Sequence, residues 1–183
     1  MRKILFILIS LIFISCNTNI LPKPKAYLSL EYPKKKYTKL SLERPYSFEV
    51  LKNTTLVDDK NNWLKINYPN LKASIDITYR PVENNLNELL AEAEKLVFKH
   101  AVKAEQIIPK DFINPKRRVF GSLYEITGNA ASHLQFHVTD STNNFIKGSL
   151  YFYVKPNYDS ILPAVSYIKK DILRLIETLE WKK

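Results

Sequence analysis

The chain has 183 residues, with 28 Lys and Arg against 18 Asp and Glu, one Cys and three Gly. Gly121, Gly128 and Gly148 stand seven and twenty residues apart, which excludes the dinucleotide fingerprint and the P-loop, since both need neighbouring glycines where backbone closes on phosphate. A single Cys excludes an internal disulfide and a Cys-cluster zinc or iron–sulfur site, while the length and 45% hydrophobic content fit one domain with a buried core.

Residues 1–15 read as a signal peptide: Arg2 and Lys3 precede an apolar run from Ile4 to Ile14. That run is too short to cross a ~30 Å hydrocarbon core, which takes ~20 apolar residues. It stops at Ser15-Cys16, a junction that resembles a bacterial lipobox. The resemblance implies that Cys16 is acylated on sulfur and becomes the mature N-terminus. No free thiol then remains, which fits an oxidising envelope compartment.

Loss of Arg2 and Lys3 leaves 26 − 18 = +8 on the mature chain. Six lysines (23, 25, 34, 35, 36 and 39) against Glu31 crowd the segment between Pro22 and Lys39. Nucleic acid is not expected to meet an exported, lipid-anchored protein. Anionic lipid headgroups or envelope polymers are the partners such a charge would find; the alternative is a plain solvated tether. Pro22, Pro24 and Pro33 make residues 16–44 a lipidated Cys followed by an extended stalk, of ~85 Å as polyproline II or ~30 Å as a flexible coil. Alternation at Leu28, Leu30 and Tyr32 predicts a short strand that docks on the body, the single globular domain of residues 45–183.

Within that domain Tyr46, Phe48 and Val50 alternate, as do Leu64, Ile66 and Tyr68, and Ala73, Ile75, Ile77 and Tyr79, predicting three strands. After Pro81, the residues Leu86, Leu89, Leu90, Ala93, Leu96, Val97, His100 and Ala101 share one arc of a helix of roughly twenty residues, with Asn84 or Asn85 as N-cap and Glu88 placed for a capping box. Strands follow at 118–127, 134–139 and 145–154, and Asp159-Ser160 caps a second helix whose face runs from Ile161 through Ile168 and Ile172 to Leu179. The order βββα-βββα is an antiparallel sheet packed by two helices, of the α+β class. It resembles the PsbP/Mog1-type sandwich, a likeness of fold that says nothing about activity.

The stretch GNAASHLQFHVTDS, residues 128–141, gathers Ser, His and Asp. In a strand His133 and His137 share a face but lie about 13 Å apart, too far to ligate one metal ion. Ser132 lacks the glycines of a strained nucleophile turn, and His100 falls at the centre of an apolar arc. No metal or cofactor is expected. Tyr151-Phe152-Tyr153 and the Pro-Asn-Tyr loop after it either frame a binding groove or form a central strand covered on both faces. The candidate binding residues are Asn129, Ser132, His133, Asn157, Tyr158 and Asp159.

The strings LPKPKAYLSLEYP, WLKINYPNLKASIDITYRPV, EITGNAASHLQFHVTDST and GSLYFYVKPNYDSILPAV, with ETLEWK at the end, resemble the gliding motility lipoprotein GldD family of the Bacteroidetes across the whole mature chain. That resemblance implies a cell-envelope lipoprotein required for surface gliding and associated with type IX protein secretion. It brings no catalytic residue; only Cys16 carries over, as the lipid-bearing residue. Asn17, Thr18, Asn19 and Ile20 form no acidic cluster after Cys16, so by resemblance the protein is expected to face the periplasm, with the outer membrane preferred over the inner. Two functions stand open: a non-enzymatic binding and assembly component, or an envelope enzyme acting on peptidoglycan or lipid.

Overall fold

The computed structural model describes residues 32–100, 102–153 and 157–182. The signal segment, Cys16, the lysines at 23 and 25, the alternation at 28 and 30, Ala101, Val154 and the side chain of His100 lie outside the described residues. In chain order the elements are Tyr37–Lys39 (β1), Tyr46–Ser47 (β2), Glu49–Leu51 (β3), Thr55–Asp58 (β4), Leu64–Tyr68 (β5), Ala73–Pro81 (β6), Leu86–His100 (α1), Ala104–Asn114 (β7), Val119–Gly128 (β8), Leu134–Thr139 (β9), Asn144–Phe152 (β10), Tyr158–Thr178 (α2) and Glu180–Trp181 (β11).

Seven strands form one sheet in the order β4-β5-β6-β10-β9-β8-β7, and every adjacent pair is antiparallel. Two meanders, β4 to β6 and β7 to β10, therefore join along the β6–β10 seam. Alternation in β5 and β6 sends Leu64, Ile66, Ile75 and Ile77 to one face, where the stripe of α2 covers them. Val165, Ile168, Ile172, Leu175 and Ile176 of that stripe are at most 3% exposed, each contributing ~1.5–3 kcal/mol of transfer free energy. On the opposite face α1 sets Leu89 and Ala93 on Phe145, and Val97 on Ile126 and Ala130. Helices on both faces explain why β9 is buried at every position.

The mixed α/β class, with two helices on an antiparallel sheet, is the expected one, but the strand order differs. Tyr46 to Val50 is not one strand of the sheet. It splits at Phe48 into β2, paired with β11, and β3, paired with β1. The edge strands β4 and β7 were not expected. β7 is mostly exposed and carries Pro109, Lys110 and Asp111, so neither alternation nor β-propensity marks it; Pro is tolerated because an edge strand leaves half its N–H groups unpaired. α1 spans 15 residues rather than about twenty.

Of the segment 16–44 expected as a stalk, the described part from residue 35 onward makes contacts to the body. Leu40 is 4% exposed and Arg44 5% exposed. The Arg44 guanidinium donates to Asn62 O at 2.7 Å and Tyr46 Oη at 2.8 Å and pairs with Asp58. A charge in that position is a closing clasp on the body, which composition alone does not distinguish from a tether.

Candidate functional site

Two loops singled out by their composition meet at the start of α2. A helix leaves its first N–H groups without intrahelical acceptors, and Asn157, the N-cap residue, makes no side-chain capping bond. Asn129 supplies the acceptor from the other loop: its Oδ1 takes the N–H of Tyr158 at 3.2 Å. Gly128 makes this geometry feasible. It has φ +82°, and a Cβ there would stand 2.8 Å from Glu105 N, so only glycine fits without strain.

Behind this contact lie Ser132, 0% exposed, and His133, 2% exposed. The Ser132 hydroxyl donates to Leu134 O at 3.2 Å. His133 Nδ1 is 3.2 Å from Ile126 O, and its ring centroid is 5.3 Å from that of Tyr158 and 6.4 Å from that of Phe152. Burial lowers the His133 pKa against the pull of the Ile126 carbonyl. The ring is therefore neutral, with Nδ1–H donating to Ile126. Ser132 and His133, expected as candidate binding residues, do not expose their side chains. Both are interior, spent on main-chain carbonyls, and they hold the turn that carries exposed Asn129 and Ala131. Asn157 is exposed and Tyr158 and Asp159 half-buried beside them.

His137 belongs to a different environment. It lies in β9 under α1, its ring stacked on Phe145 and tilted against Tyr124, both with centroids 6.0 Å away. Its Nδ1 is buried without a partner beside a cavity of about 10 Å³, room for one water. Burial lowers its pKa, with Glu94 and Asp111 acting the other way. Asp140 organises a turn: Oδ1 accepts the N–H groups of Thr142, Asn143 and Asn144 at 2.9, 2.8 and 2.9 Å. Burial raises its pKa, but these bonds and the Asn144 amide outweigh it and hold the carboxylate below its usual range. Among the described residues no group of three or more His, Cys, Asp and Glu is placed to hold a metal ion.

A second polar cluster has no counterpart in the sequence reading. Asp171 sits within the apolar stripe of α2 at 5% exposure. Its Oδ1 accepts from Lys35 Nζ at 2.5 Å and Tyr37 Oη at 2.7 Å, and its Oδ2 from Tyr68 Oη at 3.2 Å. Lys35 also lies 3.8 Å over the Tyr167 ring. Burial lowers the Lys35 pKa while Asp171 raises it; burial, then Asp171, raises those of Tyr37 and Tyr68. One carboxylate thus fastens the start of the described chain to α2.

The fold is thus a two-helix α/β body with polar loops gathered at the start of α2 and with Lys35 and Tyr37 held to Asp171 further along that helix. The family model for the gliding motility lipoprotein GldD matches residues 17–181, and the chain belongs to that family. The family is one of membrane-anchored envelope lipoproteins, and among the described residues no helix is long and apolar enough to cross a membrane. No curated protein matches the chain.

Proposed function

We propose that the protein is a non-enzymatic binding and assembly component of the gliding motility machinery and its associated type IX secretion apparatus. It is held by lipid on Cys16, faces the periplasm, and is attached to the outer rather than the inner membrane. The observation that carries this reading is the state of Ser132 and His133. The hydroxyl and imidazole that a hydrolase would pair with each other are buried and each bonded to a backbone carbonyl, whereas the exposed surface they support is that of a recognition loop on a rigid sheet. The family match begins at residue 17, directly after Cys16, which supports the anchor.

A photoreactive residue placed at Ala131 or Asn157 of the anchored protein tests the surface in cells. Capture of a component of the motility or secretion machinery from these positions, and not from Lys52 on another part of the surface, is the expected result. Equal capture from all three positions contradicts the proposed site.

A further inference from the structure

Cations on the described surface stand repeatedly opposite an acid: Lys35 with Asp171, Lys39 with Glu180, Lys147 with Glu92, Arg174 with Glu49. Two of the stalk lysines are thereby committed to the body. The turn between β7 and β8 departs from this pattern. In Asn114-Pro115-Lys116-Arg117-Arg118, Asn114 Oδ1 accepts from Arg117 N at 3.1 Å, Pro115 O accepts from Arg118 N at 3.2 Å, and Arg118 takes φ +52°. Three consecutive exposed cations result. Pairing of β11 with β2 delivers Lys182 to the same place, its N–H bonded to Pro45 O at 2.7 Å.

Between these cations runs an open groove of about 640 Å³, with Tyr79 and Trp181 in its walls. Its floor is fixed. Tyr79 Oη donates to Asn144 Oδ1 at 2.9 Å, Asn144 Nδ2 to Asp140 Oδ2 at 2.7 Å, and Trp181 Nε1 to Arg118 O at 2.9 Å. The Asp140 carboxylate is consumed by its own turn. Glu180 is shared between Lys39 at 2.6 Å and Arg117 at 3.6 Å. Arg118 donates to two neutral acceptors, Asp140 O at 3.0 Å and Thr142 Oγ1 at 3.1 Å, leaving further guanidinium donors. Among the described residues Lys116 and Lys182 form no ion pair.

We propose that this groove binds a phosphorylated saccharide, with phosphate held by Lys116, Arg118 and Lys182 and the sugar ring laid against Trp181 and Tyr79. Cations that form no ion pair among the described residues, with only the Glu180 carboxylate near Lys182, around a pre-oriented guanidinium suit a dianion. Aromatic walls beside the exposed Asn143 amide suit a ring that is apolar on one face and hydroxylated at its edge. The same group occurs free or on a lipid, and the site recognises the shared chemistry. This inference is independent of the surface at the start of α2.

The test uses the full lipoprotein in phosphatidylcholine vesicles, with Trp63→Phe so that Trp181 alone reports. N-acetylglucosamine 1-phosphate is expected to give a saturable fluorescence change that unphosphorylated N-acetylglucosamine does not. Lys116→Glu/Lys182→Glu should weaken it about tenfold or more, and Lys34→Glu/Lys36→Glu in the former stalk should leave it within about twofold. Adding a phosphorylated glycolipid to the vesicles separates the sources: competition with the soluble sugar identifies the lipid-borne form as a ligand, and no competition identifies the free one. An equal response to the neutral sugar, no saturable response to the phosphorylated one, or equal weakening by the two double variants overturns the proposal. Circular dichroism of each variant establishes that it is folded.

Discussion

Asp171→Ala is the most informative single perturbation of the fold, because one carboxylate accepts three donors from two parts of the chain, residues 35–37 and Tyr68. Its removal leaves the Tyr68 hydroxyl, in a residue only 5% exposed, without an acceptor, at a cost of ~1–3 kcal/mol. Breaking a fully buried ion pair from one side costs ~3–5 kcal/mol, but the Lys35 side chain is 17% exposed and reaches water, so a total near ~3 kcal/mol is expected. For a chain of this size that lowers Tm by ~6–12 °C. Lys35→Met leaves the buried Asp171 carboxylate its two tyrosine donors but no cation, and should cost ~1.5–3 kcal/mol. Thermal unfolding by circular dichroism measures both, and tryptic cleavage at Lys34 and Lys36 should accelerate in the Asp171 variant as the first segment lifts. A Tm within 2 °C of the parent for Asp171→Ala would refute the clasp.

Three further outcomes are expected. His133 and His137 are held neutral below the ordinary histidine range, so the unfolded chain binds more protons below about pH 6.5; stability is complete above that value and falls as pH drops, by up to ~1.4 kcal/mol per pH unit per histidine. His137→Gln should flatten the Tm slope between pH 7 and 5.5, and an unchanged slope contradicts the assignment. Gly121→Ala should destabilise more than Gly148→Ala in urea unfolding, because a Cβ at 121 stands 2.0 Å from the His137 carbonyl oxygen while one at 148 meets the Phe136 ring, and rings yield where backbone does not. Cys16→Ala should abolish incorporation of a fatty-acid analogue, and equal label in both proteins rules out Cys16 as the lipid site.

Strands with one buried face, β5 and β6, and the two helices were legible because a period of 2 or 3.6 is imposed by burial on a single side. β10 was legible too, although it is buried on both faces, because its aromatic and aliphatic residues on either side of Lys147-Gly148-Ser149 follow the turn residues 140–144. β7 was not, since an exposed edge imposes no period and Pro109 to Asp111 interrupts what remains. The merger of β2 and β3 had the same origin: alternation reports which side chains face inward, not which strand supplies the partner. At the start of α2, composition singled out two loops that the fold brings into contact, but not what Ser132 and His133 do there. Ser132 and His133 are polar residues spent on backbone carbonyls, and only the chain path reveals that. Asp171 did leave a signal, an acid inside an apolar helical arc between Ile168 and Ile172. The basic groove left only the local one, Asn-Pro followed by three cations, because its other walls come from Tyr79, residues 140–144 and the C-terminal strand.

The central claim, that the loops at the start of α2 recognise a partner and perform no chemistry, is tested most directly by gliding and secretion in cells carrying Ala131→Arg/Asn157→Arg beside cells carrying Ser132→Ala or Asp159→Asn. Protein level is followed by blot. Bulk and charge on the exposed surface should eliminate both activities at normal protein level, while the hydroxyl and carboxylate variants retain them. Loss of both activities in Ser132→Ala or Asp159→Asn at normal level, with Ala131→Arg/Asn157→Arg unaffected, would contradict the binding account and establish an enzyme in its place.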